Sequence, residues 1–137
     1  MKNTRLGAFS QLIGSSNYSD PSGSISIGEN FGIREFSFIG GAGGVRIVND
    51  CIIGQYLSIH PENHNFADPD MLIRHQGVSR KGVIIGNNCW IGVKVTILDG
   101  SVIGDNCVVA AGSLVRGKFP DSSIIGGVPA RVLRKVC

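Results

Sequence analysis

From Ile85 to Val115 the chain reads in sixes: IGNNCW, IGVKVT, ILDGSV, IGDNCV and VAAGSL. Ile85, Ile91, Ile97, Ile103 and Val109 open the units, and Val115 begins the next. A helix repeats about every 3.6 residues and a half-buried strand every second residue, so neither explains a strict recurrence at six. A stacked repeat does. Each hexapeptide supplies one short strand and a turn along one side of a triangular prism, and three of them make a coil of eighteen residues. The opening aliphatic then points inward onto its counterpart one coil away. The spacing predicts an all-β fold, a left-handed parallel β-helix forming a single domain over 1–137.

Composition agrees with that shape. Twenty glycines in 137 residues suit a fold made of tight turns, and no Gly-X-Y period points to collagen. The net charge of +3 is mild and its basic residues are scattered up to a small C-terminal cluster, so no nucleic-acid footprint is expected. The first twenty residues break their apolar positions with Arg5 and Gln11 and do not read as a signal peptide. Nothing approaches the roughly 18 apolar residues of a membrane span. The expected location is the cytoplasm.

Cys51, Cys89 and Cys107 each occupy the fifth position of a hexapeptide, the small inward slot held by Val95, Ser101 and Ser113 in neighbouring units. Cys89 and Cys107 are one coil apart and should stack. Without CxxC or CxxxH spacing they read as core filler, not as a zinc or redox site.

Along the chain, residues 1–24 read as an irregular N-terminal cap, with Leu6 and Ile13 beginning its turns and Ser15, Ser16, Ser19, Pro21, Ser22 and Ser24 filling it. The repeat is clear from Ile27, Ile33 and Ile39, then shifts by eight residues through Gly40–Gly44 to Ile47, Ile53 and Ile59. The next unit starts only at Ile85. The segment between, 60–84, has no register and is expected to be an extruded loop, where function concentrates. It carries all three histidines, His60, His64 and His75. A zinc centre would draw ligands from different coils, which this placement does not offer, so no metal is expected. Acyl transfer needs one well-placed imidazole as a general base. Val128, Val132, Leu133 and Val136 fall at helical spacing, so 128–137 is expected to include a short C-terminal capping helix.

Strand alternation points Cys89 and Ile91 inward and Trp90 outward, one coil from Val108, with Thr96 and Leu114 forming a second outward column. An exposed indole in an apolar column calls for cover by a neighbouring prism.

ENHNF in the loop, IGNNCWIG after it, ILDGSVIGDNCVVAAGSLV and the closing GGVPARVLRK resemble the hexapeptide-repeat acyltransferases, in particular the sugar O-acetyltransferases of surface-polysaccharide type. The resemblance covers Ile25 to Lys135. It implies a homotrimer with acetyl-CoA, as co-substrate, held between neighbouring prisms. By motif match it implies His64 as general base, with Glu62 orienting it, and Trp90 beside the groove. Gly92 and Val93 would meet the thioester end, and a backbone N–H there would hold the oxyanion. Ala111, Gly112 and Ser113 would line the pantetheine arm. Arg116 and Lys118, flanking Gly117 where relatives often carry lysine, and Arg131 and Arg134 would face the CoA phosphates. The acceptor implied is a sugar or nucleotide-sugar hydroxyl, with an amino-sugar amine as the alternative. Relatives often place Asn or Asp on the coil before the loop, where this chain has Arg34 and Glu35. A zinc-dependent hydratase and a non-catalytic β-helix subunit are the rival readings.

Overall fold

The computed structural model describes residues 2–14 and 23–137. Three parallel sheets form the sides of a left-handed β-helical prism. The first face stacks Thr4–Leu6, Phe31–Ile33, Ile52–Ile53, Trp90–Ile91, Val108–Val109 and Ser123–Gly127. The second stacks Gln11–Ile13, Phe38–Gly40, Ser58–His60, Thr96–Leu98 and Leu114–Val115. The third stacks Ile25–Ile27, Val45–Ile47, Val83–Ile85, Val102–Ile103 and Lys118–Phe119. Among the described residues no helix is long and apolar enough to cross a membrane.

The hexapeptide register sets the core directly. Ile33, Ile53, Ile91, Val109 and Ile125 stack on the first face, Ile39, Ile59, Ile97 and Val115 on the second, and Ile47, Ile85 and Ile103 on the third, all essentially free of solvent. The fifth position also faces into the coil and holds mostly small residues, with the buried Phe31 and Leu57 as the large ones. Where that residue is serine, its hydroxyl is satisfied locally: Ser37, Ser101, Ser113 and Ser123 each donate to the carbonyl three residues back. Cys51, Cys89 and Cys107 form one buried, free-thiol column. Their sulfurs donate to the carbonyls of Gly86, Gly104 and Pro120 on the next coil, at 3.2, 3.2 and 3.3 Å. The neighbouring Cys51 sulfur and then burial push the Cys89 thiol up, so it stays protonated.

The three edges of the prism differ. Between the third and first faces, the left-handed turn positions are Asn3, Asn30, Asp50, Asn88, Asn106 and Ser122, mostly residues that tolerate positive φ. Asn87 and Asp105 continue a second ladder there, each accepting a backbone N–H from the coil before it, from Asn49 and Asn87. Between the first and second faces every turn has the same length. All the irregular lengths fall on the remaining edge, between the second and third faces. There the chain runs from Ile13 to Ile25, from Gly40 to Val45, from His60 to Val83 and, in the tight turn, from Val115 to Lys118.

Two expectations are corrected. Residues 4–6 and 11–13 are regular strands of a first coil instead of an irregular cap, paired with Phe31–Ile33 and Phe38–Gly40. Leu12, opposite Ile39, takes the inward slot expected for Ile13. Ser15, Ser16, Ser19, Pro21 and Ser22 lie outside the described residues. At the other end, Ala130–Lys135 is a strand and not a capping helix, antiparallel to Ser123–Gly127. The open edge of the first face offers unpaired backbone groups, and satisfying them outweighs the helical spacing of Val132, Leu133 and Val136.

Candidate active site

The segment after His60 leaves the prism and returns at Val83. Asn63–His64 and Val78–Ser79 pair as a short antiparallel ribbon, with His64 opposite Val78, and Ile73–His75 forms a single 3-10 turn beyond it. Gln76 ties the outer loop together through Asp68 and Met71. At the base, the buried Asp99 carboxylate accepts the N–H groups of Lys81 and Gly82, both at 2.8 Å, and so fixes the returning limb to the next coil. Arg80 Nε donates to Glu62 Oε2 at 3.0 Å, clamping the two limbs just below His64. Glu62 thus bonds to Arg80, where contact with His64 was expected; its link to the imidazole runs through the loop backbone.

His64 lines a cavity of about 360 Å³ at this edge, with Ile13, Phe38, Gly40 and Ala42. His60 lines it too. Its ring stacks on Phe38 with centroids 5.4 Å apart, and its Nε2 lies 2.6 Å from Ser58 Oγ. The alternation of Ser58, Ile59 and His60 along one strand was the available signal, since it points both polar residues outward. His75 sits in the 3-10 turn, exposed, and does not line this cavity.

The other expected residues gather on a different edge. Trp90 points outward, over half exposed, beside the fully outward Ile52 and in register with Val108. Next to it Gly54, Gly92, Val93, Ala110 and Ala111 line an apolar cavity of about 300 Å³ at the edge between the first and second faces. Gly92 has to be glycine, because a Cβ there would lie 2.7 Å from the Ala111 nitrogen. Its N–H is spent on Val109 O at 2.8 Å, whereas the N–H groups of Val93 and Ala111 meet no acceptor among the described residues. The free donor expected near Gly92 is therefore Val93. Gly112 takes the left-handed turn, with φ +74°. The Ser113 hydroxyl is buried and used by Ala110 O and Gly127 N, leaving only small-residue backbone for a ligand.

The closing strand brings Arg134 into the Trp90 row: Trp90 pairs with Val108, Val108 with Ile124 and Ile124 with Arg134. Three ladder steps span about 14 Å at the usual spacing of ~4.8 Å. Arg131 lies opposite Gly126 on the same strand. Arg116 and Lys118 lie elsewhere, at the loop-bearing edge and on the third face.

One chain therefore divides the candidate residues into two sets. Trp90, Gly92, Val93, Ala111, Gly112, Ser113, Arg131 and Arg134 belong to one edge; His64, Glu62 and Arg116 belong to the next, with Lys118 beside it at the start of the third face. The second face separates them. Gly92 to Leu98 crosses that face, on the order of 15–20 Å at roughly 3.3 Å per residue, and Leu98 is in register with His60. An imidazole hung beyond His60 does not reach Val93 of its own chain.

Comparison with known proteins gives the fold a family. The model described as bacterial transferase hexapeptide (six repeats) matches residues 82–117. WbbJ of Escherichia coli (strain K12), a protein named for O-acetyl transfer in lipopolysaccharide biosynthesis, is 31% identical over 120 residues, covering 82% of this chain and 61% of its own length. A galactoside acetyltransferase solved with coenzyme A superposes with a TM-score of 0.76 at 30% identity, covering all of this chain and 66% of that one. A hexapeptide-repeat acetyltransferase of Vibrio cholerae O1 biovar eltor, solved with acetyl coenzyme A, gives 0.73 at 27% identity, covering 94% and 72%. The chain spans about three-fifths of the length of WbbJ.

Proposed function

Because this chain belongs to the hexapeptide-repeat acyltransferase family, we propose that it transfers an acetyl group from acetyl-CoA to a sugar hydroxyl, at sites shared between the chains of a homotrimer. The observation that carries this reading is the division of the site. A groove suited to an acyl thioester lies on one edge, and a histidine-bearing cavity of sugar size lies on the next. Packing the first edge of one prism against the second edge of its neighbour brings them together, and it also covers Trp90 and Ile52.

The residues fit the donor. The small backbone at Ala111 and Gly112 allows close approach of a pantetheine arm, the Trp90–Val108 row offers it an apolar wall, and Arg131 and Arg134 stand where the row ends. Arg116 and Lys118 of the neighbouring chain reach the same seam as a second source of positive charge for the phosphates. For the acceptor, Phe38 and Ile13 give apolar contact while His60, Glu62 and His64 give polar groups, the mixture that a sugar ring presents in return.

In the reaction His64 takes the proton of the acceptor hydroxyl as its oxygen attacks the thioester carbonyl carbon. The Val93 N–H holds the carbonyl oxygen as it gains charge. Collapse of the tetrahedral species breaks the C–S bond, and the imidazolium returns its proton to the departing thiolate. No acyl-enzyme is required. Likeness to WbbJ favours a surface-polysaccharide sugar or its nucleotide-linked precursor as acceptor, made in the cytoplasm.

The test is thiol release from acetyl-CoA against a panel of sugars, amino sugars and nucleotide-sugars. His64→Ala is expected to lower kcat by about 10²–10⁴-fold, the usual range for a lost general base, with acetyl-CoA binding retained. Near-normal turnover in that variant would sink the assignment. Preference for the amine of an amino sugar selects N-acetylation; stoichiometric zinc with bicarbonate turnover selects a hydratase; binding of neither CoA nor metal selects a structural subunit.

A further inference from the structure

On the edge between the first and second faces, the turn positions with positive φ are Phe9 (+59°), Phe36 (+60°), Tyr56 (+60°) and Lys94 (+57°), followed by Gly112. The backbone does not ask for aromatics here. At the corresponding positions of the edge between the third and first faces the chain uses Asn and Asp, with one Ser; Asn and Asp tolerate this conformation, while bulky side chains disfavour it. The three rings stack face to face with centroids 5.2 Å apart, and Lys94 Nζ stands 6.0 Å above the Tyr56 ring. They are 80%, 48% and 51% exposed. Stacking accounts for their faces but leaves an apolar ridge in solvent.

The height of this ridge identifies what covers it. It occupies the first three coils, directly below Gly92, Val93 and Ala111 on the same edge. The cavity lined by His64 occupies the same three coils at the next edge: Ile13 comes from the first, Phe38 and Ala42 from the second, His60 and Glu62 from the third. A rotation about an axis parallel to the prisms keeps every coil at its own height. The seam that joins Val93 of one chain to His64 of the next therefore also sets the aromatic ridge of the first against the cavity of the second.

We propose that Phe36 and Tyr56 form the missing wall of the acceptor cavity on the neighbouring copy of the chain. The seam then has two levels, with the thioester groove above and an aromatic-walled acceptor chamber below. This rests on the reading of the site given above, and makes the ridge a specificity element for a ring that offers an apolar C–H face. Phe36 and Tyr56 contact the acceptor and take no part in proton transfer.

The test uses Phe36→Asn/Tyr56→Asn, since asparagine suits the backbone at both positions. Its acceptor KM is expected to rise about tenfold, as loss of the ring contacts predicts, with the acetyl-CoA KM unchanged. At acceptor well below KM, where this variant alone keeps about a tenth of wild-type activity, co-expression with His64→Ala chains is expected to raise it to about a quarter, the share of seams pairing two intact edges in a random 1:1 assortment. Unchanged acceptor KM, or no recovery on mixing, overturns the proposal. An independent readout needs no turnover. Chains carrying Phe36→Cys and Ile13→Cys with Cys137→Ser are expected to be joined into covalent dimers and trimers by a short bis-maleimide, and products that remain single chains overturn it. A wild type that never transfers acetyl while its cysteine variant cross-links in this way removes the acetyl-transfer reading and leaves the wall in place.

Discussion

Gly92 and the cysteine column show how closely a coil constrains single residues. A Cβ at Gly92 would press on the backbone of Ala111, which has no room to retreat because both residues sit in turns held by ladders above and below. Gly92→Ala is expected to destabilise the fold by about 1–3 kcal/mol, as overpacking does, and to lower acetyl-CoA affinity, both readable from thermal unfolding with and without the ligand. The thiols give a contrasting expectation. Cys51, Cys89 and Cys107 are buried and Cys137 is exposed, so a thiol reagent should label one cysteine in the native protein and all four after unfolding. Rapid labelling of a second thiol under native conditions would contradict the packed column. The inward assignment of Cys89 and Cys107 follows from register alone. What register does not reveal is which backbone N–H is free: Gly92 and Val93 are adjacent in sequence, and only the ladder bond to Val109 shows that the first is spent.

The loop is the element on which the proposed chemistry depends, and two contacts hold its base. Asp99 accepts from the Lys81 and Gly82 N–H groups, and Glu62 pairs with Arg80. Asp99→Ala leaves two amides without their acceptor, a loss of about 1–3 kcal/mol, localised where the loop returns. The expected outcome is faster proteolytic nicking within 61–82 and a fall in kcat, with acetyl-CoA affinity unchanged because the proposed groove lies on the other edge. Equal losses in kcat and acetyl-CoA affinity would point instead to general destabilisation. At the C-terminal strand, Arg134→Ala is expected to weaken acetyl-CoA binding about tenfold, the scale of a lost charged hydrogen bond, and to leave acceptor KM alone. Isothermal titration distinguishes the two. The existence of the loop was legible in the broken hexapeptide register between Ile59 and Ile85. Its clamp was not, because Glu62 and Arg80 are eighteen residues apart with no repeat between them. The closing strand was misread for a related reason: the spacing of Val132, Leu133 and Val136 describes a local preference, while the unpaired edge of Ser123–Gly127 is a long-range one.

At the scale of the whole molecule, every irregular turn length lies on a single edge, and the two halves of the proposed site lie on different edges of one chain. Activity should therefore follow assembly. Dilution that dissociates the oligomer is expected to abolish turnover while each chain stays folded, since the core of isoleucines closes within one prism; sedimentation and circular dichroism on the same samples check both parts. Full activity from a monomer would contradict the divided site. The period of six was enough to determine the prism, its core columns, the outward direction of Trp90 and the place of the loop, because burial in a solenoid is set by position within each repeat. Tertiary structure alone decided which residues share an edge, that Glu62 turns to Arg80, that Val93 keeps the free amide, and that an aromatic ridge stands level with the histidine cavity. Those relations depend on distances across faces and between coils, and insertions at one edge shift sequence separation without moving the strands that they connect.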